Sequence, residues 1–325
     1  MNTNYPSIIV PLDGTKTAEN AIPFAIAIAR RGGSRVTLVH VHEVGVIVAN
    51  APMIDSQWED DRATEMYGII QAMAERLSED TGLGVTAVTL RGPAAQSLVQ
   101  YAVDQAADLI VLTTHGRSGF SRAWFGSVAE RVIHSAMTPV LVVRAGDDAR
   151  TDVSEPLFRH VLLPIDLEQS GAEAMQRALT LGVTGETLYT LLTVRPSMLI
   201  IPPLYPGAGA LVADPEFNLR RAEAEESLER IAGPARSVGA AVDVRVVTHD
   251  QAASAILEAA QSSIDLIVIP THARSSLSRA LLGSVVDKVL RGATVPLLLF
   301  RAAEAGQGLP ATAAHETHAN PARFT

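Results

Sequence analysis

The sequence predicts an α/β protein made of two tandem Rossmann-like domains, each a parallel sheet with helices on both faces. Three observations lead there. Short apolar runs alternate with longer stretches of helical periodicity, the pattern of βαβ units. The runs are continuously apolar rather than alternating, as in strands buried on both faces. The whole series then occurs twice: T-T-H-G-R-S-G-F-S-R-A-W-F-G-S-V-A-E-R-V-I-H-S-A-M-T-P-V-L-V-V-R at Thr113–Arg144 has a near-copy at Pro270–Arg301. Repetition at domain length means duplication of a domain, not a short-repeat solenoid.

In the first half, Ser7–Leu12 is a β-rich run ending in the loop signal Asp13-Gly14. Ala18, Ala21, Ile22, Ala25, Ile28 and Ala29 recur at helical spacing, Pro23 limits the first turns, and Gly32-Gly33 stops the helix. Arg35–Val41 is a second strand, and Ser56–Leu77 a long amphipathic helix opened by a serine. Val85–Leu90 is the third strand, Ala94–Gln105 a helix and Asp108–Thr113 the fourth strand. Gly126-Ser127 opens a short helix, and Pro139–Val143 is the fifth strand.

The series restarts at His160–Asp166, whose H-V-L-L-P-I-D echoes S-I-I-V-P-L-D. Ser170–Leu181, Thr187–Val194, Pro215–Ala232, Val242–Val247, Ala252–Gln261, Ile264–Pro270 and Pro296–Phe300 repeat the later elements. The extra residues of the second copy fall most simply in the Pro/Gly-rich segment Pro196–Pro215, which reads as a lid, a partner surface or packing. The polar stretch Ala145–Pro156 marks the boundary. Residues 1–146 are expected to form the first domain, 147–156 a linker, 157–302 the second domain and 303–325 a disordered tail.

Composition narrows the function. The net charge of −9, with no basic run, argues against nucleic acid as a partner. The absence of cysteine excludes disulfides, thiol catalysis and cysteine metal sites. No apolar span is long enough to cross a membrane, and the N-terminus lacks a signal-peptide pattern, so the expectation is a soluble cytoplasmic protein with no membrane partner.

Two features of each copy fall at strand C-termini, where open α/β sheets bind ligands: the Pro-x-Asp after strand one and the loop after strand four. In the first copy these contribute Pro11, Asp13 and Gly14, and Thr113, His115, Gly116, Arg117, Gly126, Ser127 and Val128. A strand, a small-residue loop and a helix N-terminus can cradle a phosphate through free N–H groups. The alternative is that S-V-A-E at 127–130 and S-V-V-D at 284–287 only start helices as capping boxes. Arg117/Arg274 and Arg122/Arg279 match between copies, as phosphate ligands or as ion pairs. His115 and His272 lack the partners of a triad. His40-x-His42 lacks a third metal ligand and reads as structural, and His315 and His318 as solvated.

The loop resembles that of the universal stress protein family, whose nucleotide-binding members carry G-x-x-G-(nine residues)-G-S/T. Gly116, nine residues and Gly126-Ser127 match, and Thr113 stands at the first glycine. The opening V-P-L-D-G-T, R-V-T-L-V-H-V, the R-G-P after strand three and T-P-V-L-V-V-R are similar too, twice over. The resemblance implies five parallel strands per domain in order 3-2-1-4-5, with ATP, accompanied by Mg2+, across strands one and four. It implies Asp13 and the Val41 backbone at the adenosine end, and Gly116, Gly126, Ser127 and the Val128 backbone at the phosphates. Thr113 would contact ribose or phosphate. In the second copy Pro270, Ala273 and Leu167 replace glycines while Asp166, Gly283 and Ser284 remain, so that site is expected to be weak or empty.

Three functions follow. The first is a stress-response protein binding ATP in its N-terminal domain as a ligand or slow switch; with no Walker lysine and no general base it is at most a slow ATPase and has no catalytic residue to name. The second is a nucleotide-free interaction protein with relic sites. The third is a nucleotidyl transferase, for which K-T-A-E-N beside strand one is the only feature. Strand five of each copy would lie at a sheet edge, so the two halves are expected to pair as a pseudo-dimer, and the pair to form a homodimer.

Overall fold

The structure is a computed structural model that describes residues 5–43, 56–114, 126–144, 158–167, 171–196, 216–261, 263–271 and 282–302. The first half contains β1 (Ser7–Leu12), α1 (Lys16–Glu19), α2 (Ile22–Gly32), β2 (Arg35–His42), α3 (Ser56–Thr81), β3 (Val85–Arg91), α4 (Ala94–Asp104), β4 (Leu109–Thr114), α5 (Ser127–Ser135) and β5 (Val140–Arg144). The second contains β6 (His160–Pro164), α6 (Gly171–Leu181), β7 (Leu188–Arg195), α7 (Phe217–Ser237), β8 (Ala241–Thr248), α8 (Ala252–Ala260), β9 (Leu266–Thr271), α9 (Ser284–Gly292) and β10 (Leu297–Arg301).

Local chemistry sets most boundaries. Pro23 occupies the first turn of α2, where its missing N–H costs nothing, so the expected single helix becomes a short α1 and a separate α2. Gly33 ends α2 in the left-handed conformation, φ 66°. In the second half α7 runs past the expected end at Ala232 and through Pro234 to Ser237. Ala232 and Ala235 are buried there, and that packing offsets the proline's lost hydrogen bond.

Each half has the parallel strand order 3-2-1-4-5, and the halves join through β5 and β10, which pair antiparallel. The result is one ten-stranded sheet, β3-β2-β1-β4-β5-β10-β9-β6-β7-β8. The two apolar strands that would have been bare edges cover each other. One face packs under α2, α3, α6 and α7, and the other under α4, α5, α8 and α9.

The seam is more than the ladder Leu297–Val142, Leu298–Leu141 and Leu299–Val140. Phe158 lies just before β6 but stacks on Phe24 of α2 in the other half, with ring centroids 6.3 Å apart. Arg31 donates to Leu181 O, Arg144 to Leu290 O, and Arg301 to His134 O (2.8 Å) and Ala136 O (3.1 Å). Every one of these bonds crosses between halves.

Candidate functional site

The site begins with a missing hydrogen-bond donor. Asp108 N donates to Ser7 O, on the β4 side of β1, while Arg35 N donates to Pro6 O, on the β2 side. Successive residues of a strand between two parallel neighbours face alternate sides, so Ser7, Ile9 and Pro11 face β4. Pro11 has no N–H to offer there. The β1–β4 ladder stops at Ile9–Ile110, although β1 stays paired with β2 as far as Leu12–His40. The sheet opens at the C-terminal ends of β1 and β4, the point where strand order reverses and α/β sheets bind ligands. Pro164 does the same in the second half: the β6–β9 ladder stops at Leu162–Ile267 and the β6–β7 ladder continues to Pro164–Leu192.

Beside this opening stands the turn after β1. The Asp13 carboxylate accepts hydrogen bonds from Thr15 N (2.9 Å) and Thr15 Oγ1 (2.6 Å), and Thr15 in turn caps α1 through Ala18 N. This Asx-type turn presents Asp13 at the surface. Gly14 has φ +83°, and a Cβ there would lie 2.9 Å from Met66 Cε. The positive φ asks for glycine, whereas the flexible end of Met66 could move aside. In the second half Leu167 stands in its place and packs against the core.

His40 Nδ1 lies 2.9 Å from Leu12 O. A carbonyl only accepts, so the proton sits on Nδ1. Thr193 serves Ile165 O in the same way in the second half, at 2.9 Å. The two side chains tie off the carbonyls of Leu12, at the end of β1, and of Ile165, just after β6. Among the described residues no group of three or more His, Asp or Glu could hold a metal.

Gly126 occupies the N-cap of α5, with φ −59° and ψ 142°, and has no side chain with which to cap the helix. Ser127 is therefore the first helical residue, exposed, and not the cap that a capping box requires; Gly283 and Ser284 repeat this arrangement at α9. The N-cap residue of α5 therefore offers its first N–H groups no side-chain acceptor. At α4 the corresponding role is filled: the Glu43 carboxylate accepts from Ala94 N at 2.8 Å.

At the end of β4 two hydroxyls differ. Thr113 Oγ1 donates to Ala18 O at 3.4 Å, binding α1 to the strand. Thr114 is 1% exposed, and its Oγ1 has no hydrogen-bond partner. Thr89 Oγ1 is in the same state among the described residues. Thr271, the counterpart of Thr114, is satisfied, donating to Phe300 O at 3.1 Å.

Of the residues expected at the site, the fold brings Pro11, Asp13, Gly14, Val41, Thr113, Gly126, Ser127 and Val128 to strand C-termini or to the N-terminus of α5. His115, Gly116, Arg117 and Arg122 lie outside the described residues, as do His272, Ala273, Arg274, Arg279, the linker, the tail and all of Pro196–Pro215 except Pro196. Pro270 lies buried within β9. Sequence reasoning passed over Thr114 and Glu43. The Glu43 role had a legible trace, a carboxylate at the end of strand two, whereas the orphan state of Thr114 is a tertiary fact.

A sequence profile of the universal stress protein family matches residues 4–144 and again 157–301. A universal stress protein of Methanocaldococcus jannaschii is 33% identical over 142 residues, which is 43% of this chain and 82% of that protein. One from Mycobacterium bovis is 27% identical over 305 residues, covering 90% of this chain and 96% of its own length. The crystal structure of a universal stress protein from Archaeoglobus fulgidus matches 93% of this chain and 99% of its own with a TM-score of 0.69 at 16% identity. That last likeness is one of fold. Among the described residues no helix is long and apolar enough to cross a membrane.

Proposed function

The chain belongs to the universal stress protein family, and on that premise we propose that its N-terminal half binds ATP, with Mg2+, as a ligand or slowly hydrolysed switch in a stress response. The observation that carries this reading is the opening of the sheet at Pro11, with α5, the helix that follows β4, starting on a glycine N-cap. Such a terminus attracts phosphate through free N–H groups and the helix dipole.

The residues present fit the group. Gly14 keeps the turn after β1 free of a Cβ, and Thr114 holds a buried hydroxyl without a partner. Ser127 and the Val128 backbone would face phosphate oxygens, and Asp13 and the Val41 backbone the adenosine end. The nucleotide supplies a transferable phosphoryl group; the protein's own part is to bind and orient it. No described residue is placed as a general base, so the role is binding with at most slow turnover.

Isothermal titration of ATP into the wild type and Gly126→Arg tests the reading. The φ/ψ of Gly126 is open to any residue, so the variant fills space at the helix N-terminus without backbone strain. Saturable binding by the wild type and its loss in the variant are expected; equal binding by both, or by neither, overturns the assignment.

A second reading rests on one observation: Asp13 and Thr113 already have partners in Thr15 and Ala18. A nucleotide-free interaction protein would use them only as turn and tether. Mass spectrometry of gently purified protein separates the two, since co-purified adenine nucleotide is expected only for the first.

A further inference from the structure

We infer that the second half acts as the positioning partner of α5, with Arg301 as the residue that holds this helix and so sets nucleotide affinity in the first half; the affinity clause rests on the nucleotide reading above. The helix is short, and it packs on its own half through the buried Val132 and Ile133 with Val128 and Ala129 beside them. A further restraint comes from across the seam. Arg301 follows β10 and donates through Nη2 to His134 O at 2.8 Å and through Nε to Ala136 O at 3.1 Å, taking two carbonyls at the C-terminal end of α5. In the first turn of the same helix Glu130 meets Arg291 of α9 at 3.3 Å. A cation at a helix C-terminus bonds carbonyls left without intrahelical donors and complements the dipole. The opposite end of α5 is the one that starts on the Gly126 N-cap. A short rigid helix held at its C-terminus presents its N-terminus at a set distance from the β1–β4 opening. This gives the second half a reason to keep its strand-five arginine and its short helix after losing the glycines of its own loop.

The pseudo-symmetric bond provides the control. Arg144 donates to Leu290 O in the last turn of α9, so it holds the second half's helix and leaves α5 alone. Loss of either arginine removes a bond of one kind from one seam. The experiment compares full-length wild type, Arg301→Met, Arg301→Lys and Arg144→Met by ATP titration and by hydrogen exchange of peptides spanning α5 and α9. In Arg301→Met, exchange of α5 should quicken and the ATP dissociation constant rise about tenfold, the order of one charge-assisted hydrogen bond. Arg301→Lys, which keeps a cation at the same carbonyls, should recover part of both. Arg144→Met should quicken α9 and leave ATP binding within about twofold. Unchanged α5 exchange in Arg301→Met overturns the proposal, as does equal loss of ATP binding in Arg301→Met and Arg144→Met, which would mean general loosening of the seam. If the wild type binds no ATP the nucleotide reading fails, and the α5 exchange contrast alone decides the clamp.

Discussion

Three arginines, Arg31, Arg144 and Arg301, cross between halves to carbonyls at the C-terminal ends of α6, α9 and α5. Each such contact contributes about 0.3–1 kcal/mol, and up to about 2 when partly buried. Arginine suits the task because its fork can serve two carbonyls at once, as Arg301 does. Another residue links structure to pH. His160 at the start of β6 has Nδ1 3.1 Å from Ser263 Oγ and Nε2 2.8 Å from Thr190 Oγ1. Both partners are hydroxyls, which donate or accept as the ring tautomer requires. Burial holds the His160 pKa below its ordinary 6.5, reinforced by Arg245 and opposed by Asp265 and Asp243. A depressed histidine pKa means the unfolded chain binds the extra proton first, so stability is lost as pH falls through about 6.5 and levels off below the folded value. Urea unfolding from about pH 7.5 to 5 should show this decline, and His160→Gln should flatten it. An equal slope in both proteins would refute the role.

At the scale of elements, a strand is made to do two things by one proline. Pro11 leaves the β2 ladder intact and removes the donor on the β4 side alone, so β1 stays anchored while the crevice opens. Pro11→Val restores that donor. The expected outcome is a slowly exchanging amide at position 11, with the β1–β4 ladder extended and ATP binding weakened as the crevice narrows; fast exchange there would show that the opening has another cause. The same logic separates α4 from α5. Both start beyond strand C-termini, but the Glu43 carboxylate accepts from the first N–H of α4, whereas α5 starts on a glycine N-cap.

For the whole molecule, the seam joins two sheets into one and exchanges aromatic contacts as well as arginines. Tyr5, just before β1, lies buried against α6, where Arg177 and Thr180 approach its hydroxyl, and burial raises its pKa. Phe158, in the equivalent place before β6, is buried against Phe24 of α2. Aromatic stacking of this kind adds about 0.5–1.5 kcal/mol beyond area burial. Neither half presents a complete surface without the other. A full-length protein with a protease site placed in the linker, nicked after purification, should keep both fragments together on size exclusion and unfold in one transition. Two separate fragments, or two transitions, would show independent domains. The seam also occupies the β5 and β10 edges, so association with a second copy must use other surfaces.

The sequence by itself determined the duplication, the parallel α/β class and nearly every element to within a few residues. These depend on local periodicity and on proline and glycine, whose effects act within a few residues of chain. It also singled out Pro11, Asp13, Gly14, Gly126 and Ser127, because residue type and position relative to a strand end are readable directly. The tertiary structure decided what those residues do. That Pro11 faces β4 and not β2 depends on ladder alternation between two neighbours distant in sequence. That α7 passes Pro234 depends on burial, and that Ser127 is not a cap depends on where the backbone enters the helix. The orphan hydroxyl of Thr114 and the reach of Arg301 to α5 depend on long-range packing, for which one chain's pattern carries no local signature.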